Sequence, residues 1–512
     1  MSYFVGIDIG TSGTRALLID ETGKVVSGAS SSYSSYTPQP GWSEQDAEDW
    51  WASTVKSVRQ VLSSAEISSE DVKGIGLSGQ MHGSVFLDSD NNVLRRPILW
   101  NDQRAFRECA EIIEFAGSRE KLISWVSNPP FPGFTAPKIL WFRKNEPQLY
   151  EQCSKILLPK DYIRFRMTGT YATDLSDASG MLLVDVARRK WSKELLNALD
   201  IPIEILPELF ESEDITGTLT DKAADELGLT TDTFVVAGAG DQAAGAIGTG
   251  VVKDGVVTST IGTSGVLFAY SEYLPDDNEA RLHNFCHAVK GKWHSMGAVL
   301  CAGGSLSWYC DNLAHSEIEA AKKQGRDVYE LLSELADTAP TASEGLFFLP
   351  YLTGDRIPHD DPHARGCWIG ITPRHSREHL IRSIMEGVVY GLRDSFEIML
   401  DSGIKISEIR LCGGGARSPL WRQIQADIYG QPVYTLNIEE GPAFGVALLA
   451  AVAGGAFDTI GQACDSAIKI TGQTDPNPAN VAVYNIYYPV FGDLYKSLKD
   501  NFRKIAEVID ND

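Results

Sequence analysis

Two aspartates stand where apolar runs give way to glycine-rich turns. Asp8 lies in Phe4-Val5-Gly6-Ile7-Asp8-Ile9, which runs into Gly10-Thr11-Ser12-Gly13 and then a second apolar run, Ala16–Ile19. A turn of this composition can aim a row of backbone N–H groups at an anion. Gly10, Thr11 and Ser12 are therefore candidates to hold phosphate. A carboxylate beside such an anion suits a metal ion placed between them. Asp241 follows the apolar run Phe234–Ala237 and the turn Gly238-Ala239-Gly240, and very small residues come after it. A carboxylate at that mouth fits a general base that takes the proton of an attacking hydroxyl. It fits a plain helix N-cap equally well.

The first turn has an echo. Thr258–Ile261 leads into Gly262-Thr263-Ser264-Gly265, again followed by an apolar strand. Two such hairpins half a chain apart suggest two related halves closing on one nucleotide; the alternative is two unrelated turns of common residues. Other polar residues also sit at strand ends. Met81 and His82 lie between Gly79 and Gly83, and Trp100, Asn101 and Asp102 follow Ile98-Leu99. Each set could touch a ligand or pack as an ordinary loop. Gly413-Gly414-Gly415-Ala416-Arg417-Ser418 follows a strand and opens a helix, where bare backbone lets a flat ring lie close. Thr173–Gly180 reads as a solvated turn. His283 and His287 read as strand and turn, because their neighbours alternate with period two.

Composition narrows the partners. A chain of 512 residues with 43% hydrophobic content suits two or more globular domains. The net charge of −23, with no basic stripe, points away from nucleic acid. A phosphorylated ligand would then be held mainly by backbone N–H groups and a metal. The eight cysteines form no Cys-x-x-Cys pair and read as reduced core residues of a cytoplasmic protein. No signal peptide is expected, because the chain enters a strand at once. No membrane span is expected either, since the longest apolar run, Gly445–Phe457, is too short.

The elements that must position these groups are legible in outline. Hairpins are expected at both Gly-Thr-Ser-Gly turns. A helix capped by Asp46 should bury Trp51, Val55, Val58 and Leu62. Strands are expected over Val72–Leu77 and Ser84–Leu87, with another ending at Arg96–Asp102. Helices are expected over Ile139–Asn145, from Leu158 to Thr168-Gly169, over Glu378–Met399, from Pro442, and from Gly492 to Ile509. Neither a Gly-x-x-x-x-Gly-Lys-Ser/Thr loop nor a Gly-x-Gly-x-x-Gly turn after a strand is present.

Together these segments resemble the FGGY family of carbohydrate kinases, within the actin, hexokinase and Hsp70 ATPase superfamily. The resemblance covers nearly the whole chain. The two hairpins and Gly413–Ser418 are superfamily-level. Gly133–Asn145 and Gly366–Ile371 running on to Glu386 are family-level. Gly79–Gly83, Leu99–Asp102, Leu158–Tyr162 and Gly354-Asp355-Arg356 look like the xylulokinase branch, whereas glycerol kinases carry Arg-Glu in place of Met81-His82. Gln242 departs from the Asn of some xylulokinases, and Asp355 from the usual Glu.

The resemblance implies two ribonuclease-H-like α/β domains flanking a deep cleft, divided as 1–242, 250–490 and a C-terminal helix over 491–512. It implies ATP-dependent phosphorylation of the C5 hydroxyl of D-xylulose. Asp241 would be the general base. Met81, His82, Trp100, Asn101, Asp102 and Gln242 would contact sugar. Gly10, Thr11, Ser12, Gly262, Thr263, Ser264 and Gly413–Ser418 would hold ATP, and Asp8 would orient Mg2+ through water. Another pentulose or a polyol is the nearest alternative substrate. A sugar- or nucleotide-binding regulator without catalysis is a second alternative, which intact Asp8, Asp241 and hairpins disfavour. A homodimer is left open.

Overall fold

The computed structural model describes residues 1–277, 279–438 and 440–510. The chain forms two compact units. The first takes Met1–Lys253, Tyr270–His294 and Glu440–Lys469; the second takes Asp254–Ala269, Ser295–Glu439 and Ile470–Asp512. Both units are thus built from separated stretches of chain, whereas the sequence reading has unbroken blocks.

In the first unit the apolar run around Asp8 becomes the strand Tyr3–Ile9, paired antiparallel with Gly13–Asp20. The turn is closed by the Gly10 N–H donating to the Gly13 carbonyl at 3.0 Å. Across the sheet the order is Ile215–Thr218, Phe234–Val236, Val72–Gly79, Tyr3–Ile9, Gly13–Asp20, Val25–Ser32. Val72–Gly79 pairs in parallel with Tyr3–Ile9 on one side and with Phe234–Val236 and Ala239–Gly240 on the other. A parallel strand is flanked on both sides and reads as a near-continuous apolar run, and Val72–Gly79 is buried at seven of its eight positions.

Helices cover this sheet. Ala47–Ala65 is capped as expected, the Asp46 side chain accepting from the Glu48 N–H. Trp51 and Val58 are inside as expected, but the face is centred elsewhere: Trp50, Thr54, Ser57 and Val61 are also inside, while Val55 and Leu62 are only half-buried. Small hydroxyl side chains fill the tight part of that contact, so counting large apolar residues misplaces the face. Gly441–Ala453 is apolar all round and buried, as befits a helix enclosed by other elements.

In the second unit Gly255–Ile261 pairs antiparallel with the strand beginning at Gly265 and parallel with Ile406–Cys412. Val433–Leu436 and Ile470–Thr474 extend this sheet. Arg377–Asp401 is a long helix buried along one side. The hairpin order of the first unit therefore recurs.

Four elements depart from expectation. The run to Asp102 is not a strand; it makes isolated bridges at Ile98 to Glu44 and Ser84. The helix ending at Asn145 begins at Thr135, and Pro137 sits in its first turn, where its missing N–H costs nothing. The C-terminal helix runs over Pro478–Asp510 with Pro489 inside it, starting well before Gly492; its buried Tyr484, Phe491 and Tyr495 supply the packing that overrides the proline. The last two residues of the expected 491–512 helix lie outside the described residues. Thr173–Gly180 is not solvated, since every one of its residues is buried.

Close packing of Gly441–Ala453 depends on an absent side chain. A Cβ on Gly445 would lie 1.9 Å from the Ala244 carbonyl oxygen. Gly445→Ala should therefore cost more than the ~1–3 kcal/mol typical of overpacking. A clear fall in the thermal midpoint is expected; an unchanged midpoint would contradict this packing.

Candidate active site

The three strand ends of the first unit align in register: Asp8 lies opposite Ser78, and Ser78 opposite Ala239. One residue further along, Ile9, Gly79 and Gly240 pair in the same way. The chain then turns into the helix Asp241–Gly248. Asp8 and Asp241 thus emerge from the same end of one sheet, either side of the central strand. Gly240 holds the N-cap position, with no side-chain cap, and Asp241 is the first helical residue. Asp241 is therefore not the plain N-cap that the sequence left open. The helix N-terminus favours its negative charge by the usual dipole effect.

Both aspartates keep part of their surface accessible, yet both carboxyls resist ionisation. Burial pushes Asp241 up to about 7, helped by the like charge of Asp8 and partly offset by hydrogen bonds from Gln242. Burial raises Asp8 to about 6, with the Ser78 hydroxyl pulling the other way. Asp8 Oδ1 is buried and makes no hydrogen bond among the described residues. An oxygen in that state suits a cation or its bound water. Among the described residues no group of three or more His, Cys, Asp or Glu is placed to hold a metal alone, so a cation at Asp8 would need ligands from water or phosphate.

The first hairpin is braced from several sides. Trp100 Nε1 donates to Thr11 Oγ1 at 2.9 Å. Gln80 accepts from Thr11 Oγ1 at 3.4 Å and donates to Gln45 Oε1 at 2.8 Å. Gln45 Nε2 donates to the Thr11 carbonyl at 2.5 Å, and Tyr33 OH to that of Gly10 at 2.5 Å. Gln45, Tyr33 and the bracing role of Gln80 escape sequence reading. Gln80 at least stands in the quoted Gly79–Gly83 motif, while Tyr33 and Gln45 carry no local signal.

Met81 and His82 are both nearly buried. His82 has a left-handed backbone, φ 68°, unusual for a non-glycine residue. Its ring stacks on Phe134 at 4.6 Å, and its Nδ1 lies 2.7 Å from the Gly180 carbonyl. Its own carbonyl accepts from Thr135 Oγ1 at 3.0 Å and Lys138 Nζ at 2.9 Å. The helix Thr135–Asn145 thus holds the loop that carries His82. A Cβ on Gly133 would fall 2.1 Å from the Trp100 carbonyl oxygen, so the same segment also abuts Trp100.

Trp100 and Asn101 are exposed. Asp102 is set apart from them. It is fully buried and accepts from the Ser43 N–H at 2.6 Å and from Arg104 N, Nε and Nη2 at 2.9, 2.9 and 2.8 Å. Four donors fill the carboxylate's lone-pair positions, so Asp102 organises its loop and has no oxygen to offer a sugar. That corrects the expectation drawn from its place beside Asn101. Gln242 is half-buried next to Asp241.

The second unit carries its own cavity, of about 810 Å³, lined by Gly262, Thr263, Gly414, Gly415, Arg417 and Ser418 among others. The Gly262 N–H closes the turn onto the Ser264 carbonyl at 2.9 Å. The N–H groups of Gly303 and Gly304, at the start of the helix Gly303–Leu313, donate to the Gly262 and Thr263 carbonyls at 2.9 and 3.0 Å. Gly413 has φ 75°, and a Cβ there would be 2.6 Å from the Ile261 carbonyl oxygen. The triple glycine therefore lies directly against the hairpin. Met385, Tyr329 and Trp421 give the cavity apolar and aromatic walls, and Ser333 and Ser418 share a hydroxyl contact of 2.7 Å. Gly303, Tyr329 and Ser333 are missing from the sequence reading; the Gly303-Gly304 pair after Ala302 was the available signal.

The chain is similar to known proteins over nearly its whole length. The description "FGGY family of carbohydrate kinases, N-terminal domain" matches residues 3–248, and its C-terminal counterpart matches residues 257–454. A xylulose kinase of Bacillus subtilis (strain 168) is 38% identical, covering 98% of both chains. One of Escherichia coli (strain K12) is 42% identical over 88% of this chain and 90% of its own. The crystal structure of ligand-bound xylulose kinase from Lactobacillus acidophilus superposes with a TM-score of 0.92 at 25% identity, covering 99% of this chain and 100% of that one.

The raised Asp241 carboxyl has a measurable consequence. A carboxyl raised in the folded state binds more protons folded than unfolded, so its contribution to stability falls as pH rises from about 4 through about 7. Asp241→Asn should therefore raise the melting temperature at pH 8, where the wild-type carboxyl is charged. The increase should be smaller at pH 5, where the folded carboxyl is neutral and only the unfolded chain's is charged, and smallest below about pH 4. Melting curves at the two pH values check this; equal effects at both would contradict the shift.

Proposed function

The chain belongs to the FGGY family of carbohydrate kinases, and from that premise we propose that it transfers the γ-phosphoryl group of ATP to the C5 hydroxyl of D-xylulose. The relatives named xylulose kinase support the substrate. The observation that carries the chemistry is Asp241, a carboxyl held near neutrality at the mouth of the first unit. A base with a pKa close to the working pH is the effective kind.

The hydroxyl proton passes to the Asp241 carboxylate as the oxygen attacks the γ-phosphorus. The new O–P bond forms, the bond to the β-phosphate oxygen breaks, and ADP leaves. Gln242, bonded to Asp241, fixes the carboxylate. Met81, His82, Trp100 and Asn101 hold the sugar beside it. Thr11 and Ser12 in the first unit, and Thr263 and Ser264 in the second, contact phosphates. The 810 Å³ cavity takes the adenosine, with its base against Gly413–Gly415. Asp8 would hold Mg2+ through water, and magnesium supplies neutralisation of the charge on the transferring group. Backbone N–H groups and a metal suffice for this work, which is how so acidic a chain can bind a triphosphate.

A coupled ADP-release assay over a panel of pentuloses and polyols tests the reading. D-xylulose should give the highest kcat/KM. Asp241→Asn should lower kcat at least ~10²-fold, the low end for loss of a general base, while ATP binding stays within a factor of about 3 on the same argument. Wild-type turnover in that variant would reject Asp241 as the base. A better substrate elsewhere in the panel would reassign the sugar.

A further inference from the structure

Behind Asp241 lies a buried polar cluster that the chemistry above does not use. Lys160 is fully buried, and its ammonium contacts Asp161 Oδ1 at 2.6 Å, Asp174 Oδ1 at 2.8 Å and Asp177 Oδ2 at 3.3 Å. Arg164, also fully buried, meets Asp161 Oδ1 at 2.6 Å. Burial works against the Lys160 charge, but the three carboxyls outweigh it and hold the ammonium protonated. Two cations thus face three carboxyls, and burial pushes the Asp177 carboxyl well above the usual carboxylate range.

The cluster connects to the site by a continuous chain of contacts. Asp174 Oδ2 accepts from Ser176 Oγ at 2.5 Å and from the Ser176 N–H at 2.8 Å. Ser176 Oγ in turn accepts from the Gly240 N–H at 3.2 Å. Gly240 is the residue before Asp241. It pairs with Gly79, and Gly79 rests on Lys160: a Cβ at Gly79 would come 3.1 Å from the Lys160 Cβ. Gly240 is closed in on its other side too, where a Cβ would meet Met81 Cγ at 3.0 Å and Asp177 Oδ1 at 3.3 Å.

We propose that Lys160, Asp174 and Ser176 form a buried relay that positions Asp241 by fixing the amide of Gly240. The strand ends at this point and the helix begins, so holding the Ala239–Gly240 peptide fixes the turn from which the helix bearing Asp241 starts. The Ser176 hydroxyl determines that peptide's direction, Asp174 determines the hydroxyl's, and the Lys160 ammonium anchors Asp174. These three are positioning residues, since none of them is assigned a contact with substrate. The need for such rigidity is general: displacing a catalytic group by about 1 Å can cost ~10²-fold in rate.

The proposal rests on Asp241 being the base, and the test separates the two. Ser176→Ala removes the acceptor of the Gly240 N–H. Its kcat per folded molecule should fall at least ~10-fold, with the KM for ATP and the dissociation constant for D-xylulose each within about 3-fold of wild type on the same ground. Ser176→Thr, which keeps the hydroxyl, should restore most of that kcat. In an Asp241→Asn background, Ser176→Ala should cause no further loss, because the relay acts through Asp241. Should Ser176→Ala fail to fold, Asp174→Asn carries the same measurements, its amide oxygen still able to cap the helix Leu175–Ser179 as Asp174 does.

A kcat per folded molecule that stays at the wild-type value in Ser176→Ala, while Asp241→Asn is inactive, overturns the relay and leaves the base intact. An additive loss in the double variant likewise overturns it, since the serine would then act elsewhere. Full turnover in Asp241→Asn overturns the base reading and the relay together.

Discussion

The site of the first unit depends on one unfavourable interaction: two carboxyls, Asp8 and Asp241, held at the same end of one sheet with too little water to keep both charged. Their burial raises both, and the charge of Asp8 makes Asp241 harder still to ionise. A folded chain keeps such an arrangement only when the surrounding structure over-determines it. Here the parallel register of Tyr3–Ile9, Val72–Gly79 and Ala239–Gly240 does so. Tyr3–Ile9 and Val72–Gly79 are central, buried and paired on both sides, Ala239–Gly240 is held along one side by Val72–Gly79, and Gly441–Ala453 packs against the first two at backbone distance.

The same constraint explains the bracing around it. Glycines are needed beside Asp8 and Asp241 so that backbone can turn and approach a ligand, and glycines leave a turn loose. Gln80, Gln45, Tyr33 and Trp100 restore order to the first hairpin through side-chain hydrogen bonds. In the second unit the start of the helix Gly303–Leu313 does this for Gly262 and Thr263. In both turns the N–H-rich backbone is held still from outside, by side chains in the first unit and by the start of a helix in the second. That arrangement suits an acidic protein that handles phosphate.

Much of this was legible in the chain. Both hairpins, the Asp46 cap, the strand to Gly79, the helices from Pro159 and Gly441 and the strand before the triple glycine follow from apolar periodicity and turn residues. Asp8 and Asp241 stood out because a carboxylate flanked by glycine at a strand end is a poor structural residue. The failures have one cause. Polar segments look solvated when read alone, and only the fold shows that Thr173–Gly180 is sunk beneath the site, where Lys160 compensates its acids. Asp102 failed in the opposite sense. Its position beside Trp100 and Asn101 suggested a ligand, but Arg104 two residues on claims its oxygens. Tyr33 and Gln45 touch the hairpin only through tertiary contacts and left no trace in local sequence.

The central claim is that the Asp241 carboxyl is still partly protonated at neutral pH. Infrared difference titration of the protein labelled with 13C at aspartate carboxyls measures this directly. A band converting from carboxylic acid to carboxylate near pH 7 is expected, and it should be missing from Asp241→Asn. A wild-type spectrum in which no carboxyl assignable to Asp241 remains protonated above pH 5 would contradict the account.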